Sequence, residues 1–226
     1  MSVLWVPLQI SVQVAFSATL LVACAGTVFA WGLAGRRSLS AGILDFILCI
    51  PLFLPPTVLG YGVISLLGAA GAGARGFLFS RWAAVGAAAL AGMPLFYRSV
   101  RSHFESIELN MFEAAAVDGA AGLALFRSII LPLSLPGIAA GFVLAFLRAL
   151  GEFGITMMVA GNIPGKTQTV SLAIWDAVMA GNEQRAAALA AMLAVISLSL
   201  LVAFSLFSRV AGIERGRSII ATREPG

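Results

Sequence analysis

The chain has 226 residues, of which 60% are hydrophobic and only 11% are charged, with a formal net charge of +4. Soluble domains carry about 25% charged residues, so an ordinary water-soluble fold is excluded and the bilayer is the expected solvent. The positive charge does not indicate a nucleic-acid partner, because the Lys and Arg residues are scattered at the ends of apolar runs, as in loops that set membrane topology.

Five apolar runs are long enough to cross a membrane, since about 20 helical residues span its hydrocarbon core. We predict spans at about residues 8–33, 43–67, 82–98, 136–159 and 186–207. The sequence therefore predicts an all-α polytopic membrane protein that forms one transmembrane domain over residues 1–226, with its ends on opposite sides of the membrane.

The second predicted span contains the sequence IPLFLPPTVLGYG, in which Pro51, Pro55 and Pro56 lack backbone donors. The helix must kink or break there. Carbonyl groups left free at this depth are tolerated where they line a cavity or are buried by protein. Pro55 and Pro56 are thus candidates for shaping a transport pathway, and a kink that only serves packing is the alternative. We expect Asp45, near the start of this span, to meet a lipid headgroup or Arg36.

The basic residues are divided unequally between the two sides of the predicted membrane. Nine fall on the side of the first loop, the third loop and the C-terminus, four fall on the other side, and Arg148 lies within the fourth span. The positive-inside rule places the C-terminus and the third loop in the cytoplasm and the N-terminus outside.

The third loop contains a polar segment at about residues 105–132 that does not suit a membrane span. Burying Glu113, Asp118 and Arg127 there would cost roughly 2.5–3.5 kcal/mol each. We predict a helix-turn-helix on the cytoplasmic face of the membrane, with its turn at Gly119. An amphipathic linker and a docking surface made of small alanines both fit these features.

The spacing within this loop resembles the EAA loop of ABC-importer permeases. The matching positions are Glu113, Ala114, Ala115, Gly119, Ile129, Leu131 and Pro132. The resemblance implies that the loop, which also includes Asp118, is a coupling helix that docks on a separate ATPase subunit. It further implies a homodimer of this chain, two ATPase copies, an external substrate-binding protein, and ATP and Mg bound by the ATPase, with no cofactor on this chain.

Three other segments resemble the molybdate, tungstate and sulfate branch of these permeases, and molybdate importers in particular. They are IPLFLPPTVLGYG at 50–62, ALGEFG at 149–154 and GNIPGKTQTV at 161–170. The resemblance implies import of molybdate across the bacterial cytoplasmic (inner) membrane. Sulfate, thiosulfate or tungstate import with the same architecture is the alternative.

Within ALGEFG and the residues before it, Arg148 and Glu152 lie four positions apart and would share one face of a helix. Charges at that depth normally face a partner or a watery cavity. Together with Gly151, Phe153 and Gly154 they are candidates for a pathway or gate, in which Arg148 tempers the field along an anion path. An ion pair that only fixes packing is the alternative.

Residues 169–181 read as a short helix on the outer side, capped by Thr169 and ended by Gly181. It could serve as a gate helix and docking surface for the binding protein. An interfacial helix anchored by Trp175 is the alternative.

The sequence lacks the features that are typical of enzymes, secondary transporters and channels. The single histidine, His103, is expected among solvated surface charges, and Cys24 and Cys49 lack the spacing of metal ligands, so we predict no catalytic or metal site. A secondary transporter or channel would show internal repeats or a filter-forming segment, and neither is found. The absence of a phosphate-binding loop implies that any ATP hydrolysis takes place in a partner.

Overall fold

The computed structural model describes residues 2–71, 76–106, 127 and 130–210, and within them every regular element is a helix. The α-helices are α1 Ser2–Leu33, α2 Leu39–Cys49, α3 Pro56–Ala69, α4 Arg81–Glu105, α5 Leu131–Leu150, α6 Gly154–Val159, α7 Val170–Met179 and α8 Glu183–Val210. A short 3-10 helix, Ile50–Leu52, continues α2. The all-α prediction is confirmed for these residues. The predicted coupling helix-turn-helix lies almost entirely outside the described residues and stays a prediction.

Four of these helices are long and apolar enough to cross a membrane: α1, α4, α5 and α8. The pair formed by Leu39–Leu52 and Pro56–Ala69 passes the same test together but is bent by 116°. The break that the prolines predicted is therefore present. It follows because Pro55 holds an extended backbone (φ −55°, ψ 137°), and Pro56 then begins α3, where a missing N–H costs nothing.

Helix α4 is the most buried of the spanning helices and packs between α1 and α5. Small side chains make this close packing possible: Ala83, Ala84, Ala87, Ala88 and Ala91 are all buried on α4. At Gly92 an added Cβ would lie 3.2 Å from the carbonyl oxygen of Ala145 on α5. Lipid is as apolar as these side chains, so tight van der Waals contact between small residues holds the helices together.

The interval 136–159, expected as a single span, contains two helices. Helix α5 begins at Leu131, with Pro132 in its first turn, and ends at Leu150. Gly151 closes it by donating its N–H to the carbonyl of Leu147 at 3.2 Å, and α6 begins at Gly154 after the three residues 151–153.

Helix α7 is short and well defined, whereas α8 is long and poorly covered. Thr169 caps α7 as predicted, its hydroxyl oxygen accepting the N–H of Leu172 at 3.5 Å, and Gly181 follows the helix end with φ +68°. Only 6% of the most apolar 18-residue stretch of α8 is buried. Val195, Leu198 and Phe207 are all more than half exposed. Helix α8 therefore offers most of its surface to lipid or to another protein.

Candidate functional site

The proline-broken segment and the GEFG segment, which the sequence marked separately, pack against each other in the structure. Helix α3 lies on α6 so closely that a Cβ added to Gly154 would lie 2.6 Å from Cβ of Pro56. A Cβ added to Gly60 would lie 2.7 Å from Cβ of Met158. Pro55 remains beside this contact, its carbonyl accepting the N–H of Val58 at 2.9 Å. Two breaks in spanning helices thus meet at one place, which we call the α3–α6 contact.

The carboxylate of Glu152 is buried at the break between α5 and α6, and both of its oxygens have partners. Oε1 accepts the backbone N–H of Ile155 at 2.7 Å, and Oε2 lies 2.7 Å from Nη1 of Arg148. A carboxylate at this position both caps the start of α6 and complements the partial positive charge of the helix end. The side chain of Glu152 is 2% exposed, whereas that of Arg148 is 35% exposed.

The four-residue spacing of Arg148 and Glu152 predicted their contact, but it did not predict that the helix ends between them. Both were expected on one face of a continuous helix, whereas Glu152 lies beyond the end of α5 and the ion pair bridges the turn at Gly151. Because the charge of Glu152 is compensated, it would not by itself repel an anion that approaches Arg148. The ion pair therefore bridges the break between α5 and α6, and part of the Arg148 side chain stays accessible.

Phe153 connects this break to α7. Its ring centroid lies 6.4 Å from that of Trp175, at an interplanar angle of 45°. Trp175 was considered as a membrane anchor, and it is 38% exposed, so it contacts the break and still reaches the surface. Helix α7 therefore lies directly beside the GEFG segment.

The loop GNIPGKTQTV is folded tightly upon itself. The carbonyl of Ile163 accepts the N–H groups of Lys166, Thr167 and Gln168 at 2.9–3.1 Å. The buried hydroxyl of Thr167 donates to the carbonyl of Gly161 at 2.9 Å and accepts the N–H of Ile163 at 3.1 Å. These bonds close the loop into a compact turn.

The same loop is bonded to two helices. Asn162 and Gln168 donate their amide N–H groups to the carboxylate of Asp176 on α7, at 3.4 and 3.5 Å. The first N–H of α7, from Val170, donates to Oγ of Ser11 on α1 at 2.7 Å. The loop therefore joins α7 to α1 at this end of the bundle.

A second polar cluster lies where α2 meets the C-terminal turns of α4. Asp45 accepts a hydrogen bond from the Tyr97 hydroxyl at 2.7 Å, forms an ion pair with Arg101, and lies 3.6 Å from Arg98. Arg101 also pairs with Glu105 at 2.7 Å. We call these five residues the Asp45 cluster.

Two sequence expectations near this cluster are wrong. Asp45 was assigned to a lipid headgroup or Arg36, but the packing of α2 on α4 provides closer cations on α4. The four-residue spacing of Tyr97 and Arg101, which places them on one face of α4, was the available signal. His103 was expected to be solvated, yet it is partly buried against Gly137 of α5, with Nδ1 3.0 Å from the carbonyl oxygen of Ser99.

The predicted coupling residues are only partly described. Leu131 and Pro132 form the first turn of α5, with Pro132 exposed. Glu113, Ala114, Ala115, Asp118, Gly119 and Ile129 lie outside the described residues. Among the residues that are described, no three His, Cys, Asp or Glu side chains come together as a metal site. The prediction that the chain binds no metal or cofactor stays a prediction.

Comparison with known proteins gives the class of protein. Residues 8–211 match the family described as binding-protein-dependent transport system inner membrane component. The chain is 37% identical to the molybdenum transport system permease protein ModB of Escherichia coli over 95% of this chain and 96% of that protein. It is 35% identical to ModB of Haemophilus influenzae over 84% and 87%. It is 32% identical to the sulfate transport system permease protein CysT of Salmonella typhimurium over 88% and 73%.

The chain belongs to the family of binding-protein-dependent transport system inner membrane components. The resemblance to importer permeases, with molybdenum permeases nearer than the sulfate permease, is thereby confirmed. The chain is a multi-pass inner-membrane transport subunit, and its class implies a binding protein and an ATPase as partners.

Proposed function

We propose that this chain is the permease subunit of an ATP-driven importer that moves molybdate across the cytoplasmic membrane. The observation that carries the proposal is the 37% identity, over 95% of the chain, to a relative named for molybdenum transport. Identity to the relative named for sulfate transport is lower, at 32%, and covers less of that relative. Sulfate or thiosulfate import is the second candidate, supported by that same relative, and tungstate remains the alternative that the sequence resemblance raised.

In this proposal the third loop transmits ATP-driven motion to the helices. Glu113, Ala114, Ala115, Asp118 and Gly119 would dock on the ATPase, and the segment would return to the membrane through Ile129, Leu131 and Pro132. The proposal is supported by the spacing of these residues. It is also supported by the positions of Glu105 and Leu131, which end α4 and begin α5 and so bracket the loop between two spanning helices that pack together. Two copies of this chain would pair with two ATPase subunits, with the C-terminus in the cytoplasm and the N-terminus outside.

The α3–α6 contact and the Arg148–Glu152 pair would form part of the gate. Pro55 and Pro56 begin α3, while Gly151, Phe153 and Gly154 form the turn into α6, so motion of one broken helix would move the other. Arg148 would present positive charge to the passing anion, and Glu152 would hold Arg148 in place. The support is the burial of Glu152 together with the partial exposure of Arg148.

The substrate can be tested in liposomes that contain the permease with its ATPase. Binding proteins loaded with molybdate, tungstate or sulfate are added, and ATP hydrolysis is measured. We expect the molybdate-loaded protein to stimulate hydrolysis most. A response to sulfate alone would overturn the substrate assignment and keep the class. A permease that purifies without any ATPase and still transports would point to a secondary carrier or channel instead.

The coupling role has its own test. Gly119→Leu and Glu113→Lys are expected to leave membrane insertion intact while abolishing stimulation of the ATPase by the loaded binding protein. Arg36→Gln, which removes an exposed charge from the first loop, serves as the control and should behave as wild type. If both loop variants still bind the ATPase and are still stimulated, the coupling assignment is wrong.

A further inference from the structure

A cavity of about 390 Å³ lies between α1 and α4 and contains none of the residues of the α3–α6 contact or the Asp45 cluster. Its lining consists of Gln13, Val14, Ser17, Arg81, Trp82 and Val85. Arg81 begins α4, so the cavity lies at the opposite end of that helix from Arg101 and the rest of the Asp45 cluster. Liquid water occupies about 30 Å³ per molecule, so this volume can accommodate a polar group of several atoms.

Arg81 is an exposed residue that lines this cavity, and its guanidinium bonds only to neutral groups. Its Nε donates to the carbonyl oxygen of Lys166, and its Nη1 donates to Oε1 of Gln13, both at 3.2 Å. The ion pairs found among the described residues involve Arg98, Arg101 and Arg148, and none includes Arg81. Its positive charge is therefore oriented but not neutralised, and Nη2 takes no part in either bond.

The orientation of Gln13 follows from the chemistry of its partner. A guanidinium only donates hydrogen bonds, so the amide oxygen of Gln13 must face Arg81, and the amide NH₂ group must point elsewhere. Ser17 lies four residues further along α1, on the same helix face, and its hydroxyl also lines the cavity. The polar residues of the lining are thus Arg81, Gln13 and Ser17, with no carboxylate among them, and this combination suits an anion.

The position of the cavity also calls for a polar occupant. Gln13 is an exposed residue of α1, which is long and apolar enough to cross a membrane. Its amide oxygen bonds to Arg81, but its amide NH₂ group has no hydrogen-bond partner among the described residues, and a polar group that faces hydrocarbon without a partner is costly. Trp82 is 66% exposed beside Arg81, as expected for a tryptophan at the level of lipid headgroups. At this level both the phosphate of a lipid and an anion from the water can reach the guanidinium.

We propose that this cavity binds a tetrahedral oxyanion through Arg81, Gln13 and Ser17. The occupant is either the phosphate of an anionic lipid headgroup or a free inorganic oxyanion, since both present the same acceptor oxygens. Lys166, whose backbone carbonyl accepts from Arg81, is itself an exposed residue that carries a positive charge. The site is independent of which anion the protein transports.

The test uses the full chain with its ATPase in nanodiscs and two probes. In nanodiscs of phosphatidylcholine, equilibrium binding of radiolabelled sulfate is measured. In parallel, the protein is purified from vesicles of phosphatidylcholine mixed with phosphatidylglycerol, and the phosphatidylglycerol that stays bound to it is measured. The variants are Arg81→Gln and Ser17→Ala, with Arg36→Gln as the charge-matched control and Arg148→Gln to identify sulfate held at the gate.

We expect the wild type and Arg36→Gln to bind one of the probes alike, and any sulfate that is lost in Arg148→Gln is held at the gate and is subtracted from the signal. Arg81→Gln should bind that probe about tenfold or more weakly, which is the effect of losing one charge-assisted hydrogen bond. Ser17→Ala leaves the bond between Arg81 and Gln13 in place, so it should weaken binding several-fold without affecting folding. If sulfate binding falls in Arg81→Gln, the occupant is a free anion. If retention of phosphatidylglycerol falls in Arg81→Gln, the occupant is a lipid headgroup. Failure of the wild type to bind either probe, or equal binding by Arg81→Gln and Arg36→Gln, overturns the proposal whether or not the chain transports molybdate.

Discussion

Asp45 shows how a single carboxylate is accommodated inside an apolar run. Alone it would be costly in a spanning segment, but the Tyr97 hydroxyl and the guanidinium of Arg101 both bond to it. The Asp45 and Arg101 side chains are 23% and 18% exposed, so water screens the pair only in part. The cluster ties α2 to the last turns of α4, which lead into the third loop.

We expect Asp45→Asn to lower the melting temperature of the purified protein, because Arg101 then loses one of its two carboxylate partners and keeps only Glu105. A lost hydrogen bond to a charged group costs about 1.5–3 kcal/mol, and a chain of this size shifts by about 2–4 °C per kcal/mol. A double-mutant cycle with Arg101→Gln isolates the pair. Strictly additive effects in that cycle would show that the two side chains do not interact.

Glu152 carries two roles that substitution can separate. Glu152→Gln keeps an acceptor for the N–H of Ile155 but removes the charge that pairs with Arg148, whereas Glu152→Leu removes both. We expect thermal stability to fall in the order wild type, Gln, Leu, and oxyanion uptake in liposomes to fall already with Gln. If Glu152→Gln assembles and transports normally, neither charge belongs to the pathway, and the ion pair only fixes packing.

Single-residue contacts could be predicted from the sequence only where they are local. The four-residue spacing of Arg148 and Glu152 was sufficient to predict their contact. The partners of Asp45 lie more than 50 positions away on α4, and only the packing of α2 against α4 determines which cation is nearest. His103 was misplaced for the same reason, because its burial depends on Gly137 of α5.

At the scale of helices, the two breaks differ in how far the sequence determines them. A proline breaks a helix through its own covalent structure, so the bend before Pro56 was predictable. Glycine permits a turn without forcing it, so the end of α5 at Gly151 was not predicted. The contact between the two breaks also had no local signal, although Gly60 and Gly154 are the small residues that a close approach of helices requires.

The α3–α6 contact can be tested with two glycines of the same helix. Gly60→Ala places a methyl group 2.7 Å from Cβ of Met158, so the helices must move apart, whereas Gly62→Ala meets no atom within 4 Å. We expect Gly60→Ala to lower both thermal stability and uptake. Gly62→Ala should be neutral or stabilising by up to about 1 kcal/mol, since alanine favours helix.

The comparison of these two variants removes the effect of helix propensity, which is the same at both sites. Equal melting temperatures for Gly60→Ala and Gly62→Ala would contradict the close packing of α3 on α6. Lower uptake with unchanged stability in Gly60→Ala would place the contact in the moving part of the transporter.

At the scale of the whole molecule, the sequence predicted five spans, and the described residues hold four such helices, or five if the bent pair counts as one span. The sequence did not predict how these helices pack. Length and hydropathy define the candidates, because the bilayer sets the number of apolar residues that a span needs. They do not separate a lipid-facing side from a protein-facing side, since both are apolar. The central position of α4 was therefore not predicted, although its alanines provide the packing surface.

Because most of the surface of α8 is exposed, the tilt of this helix should depend on the thickness of the membrane. Its apolar part, residues 186–207, is about 33 Å long at 1.5 Å per residue, slightly more than a hydrocarbon core of about 30 Å. With few neighbours to hold it upright, it should match the bilayer by tilting, more in thin membranes and less in thick ones. Uptake in liposomes of graded acyl-chain length should therefore pass through an optimum, and a flat response would mean that protein contacts, rather than membrane thickness, fix its inclination.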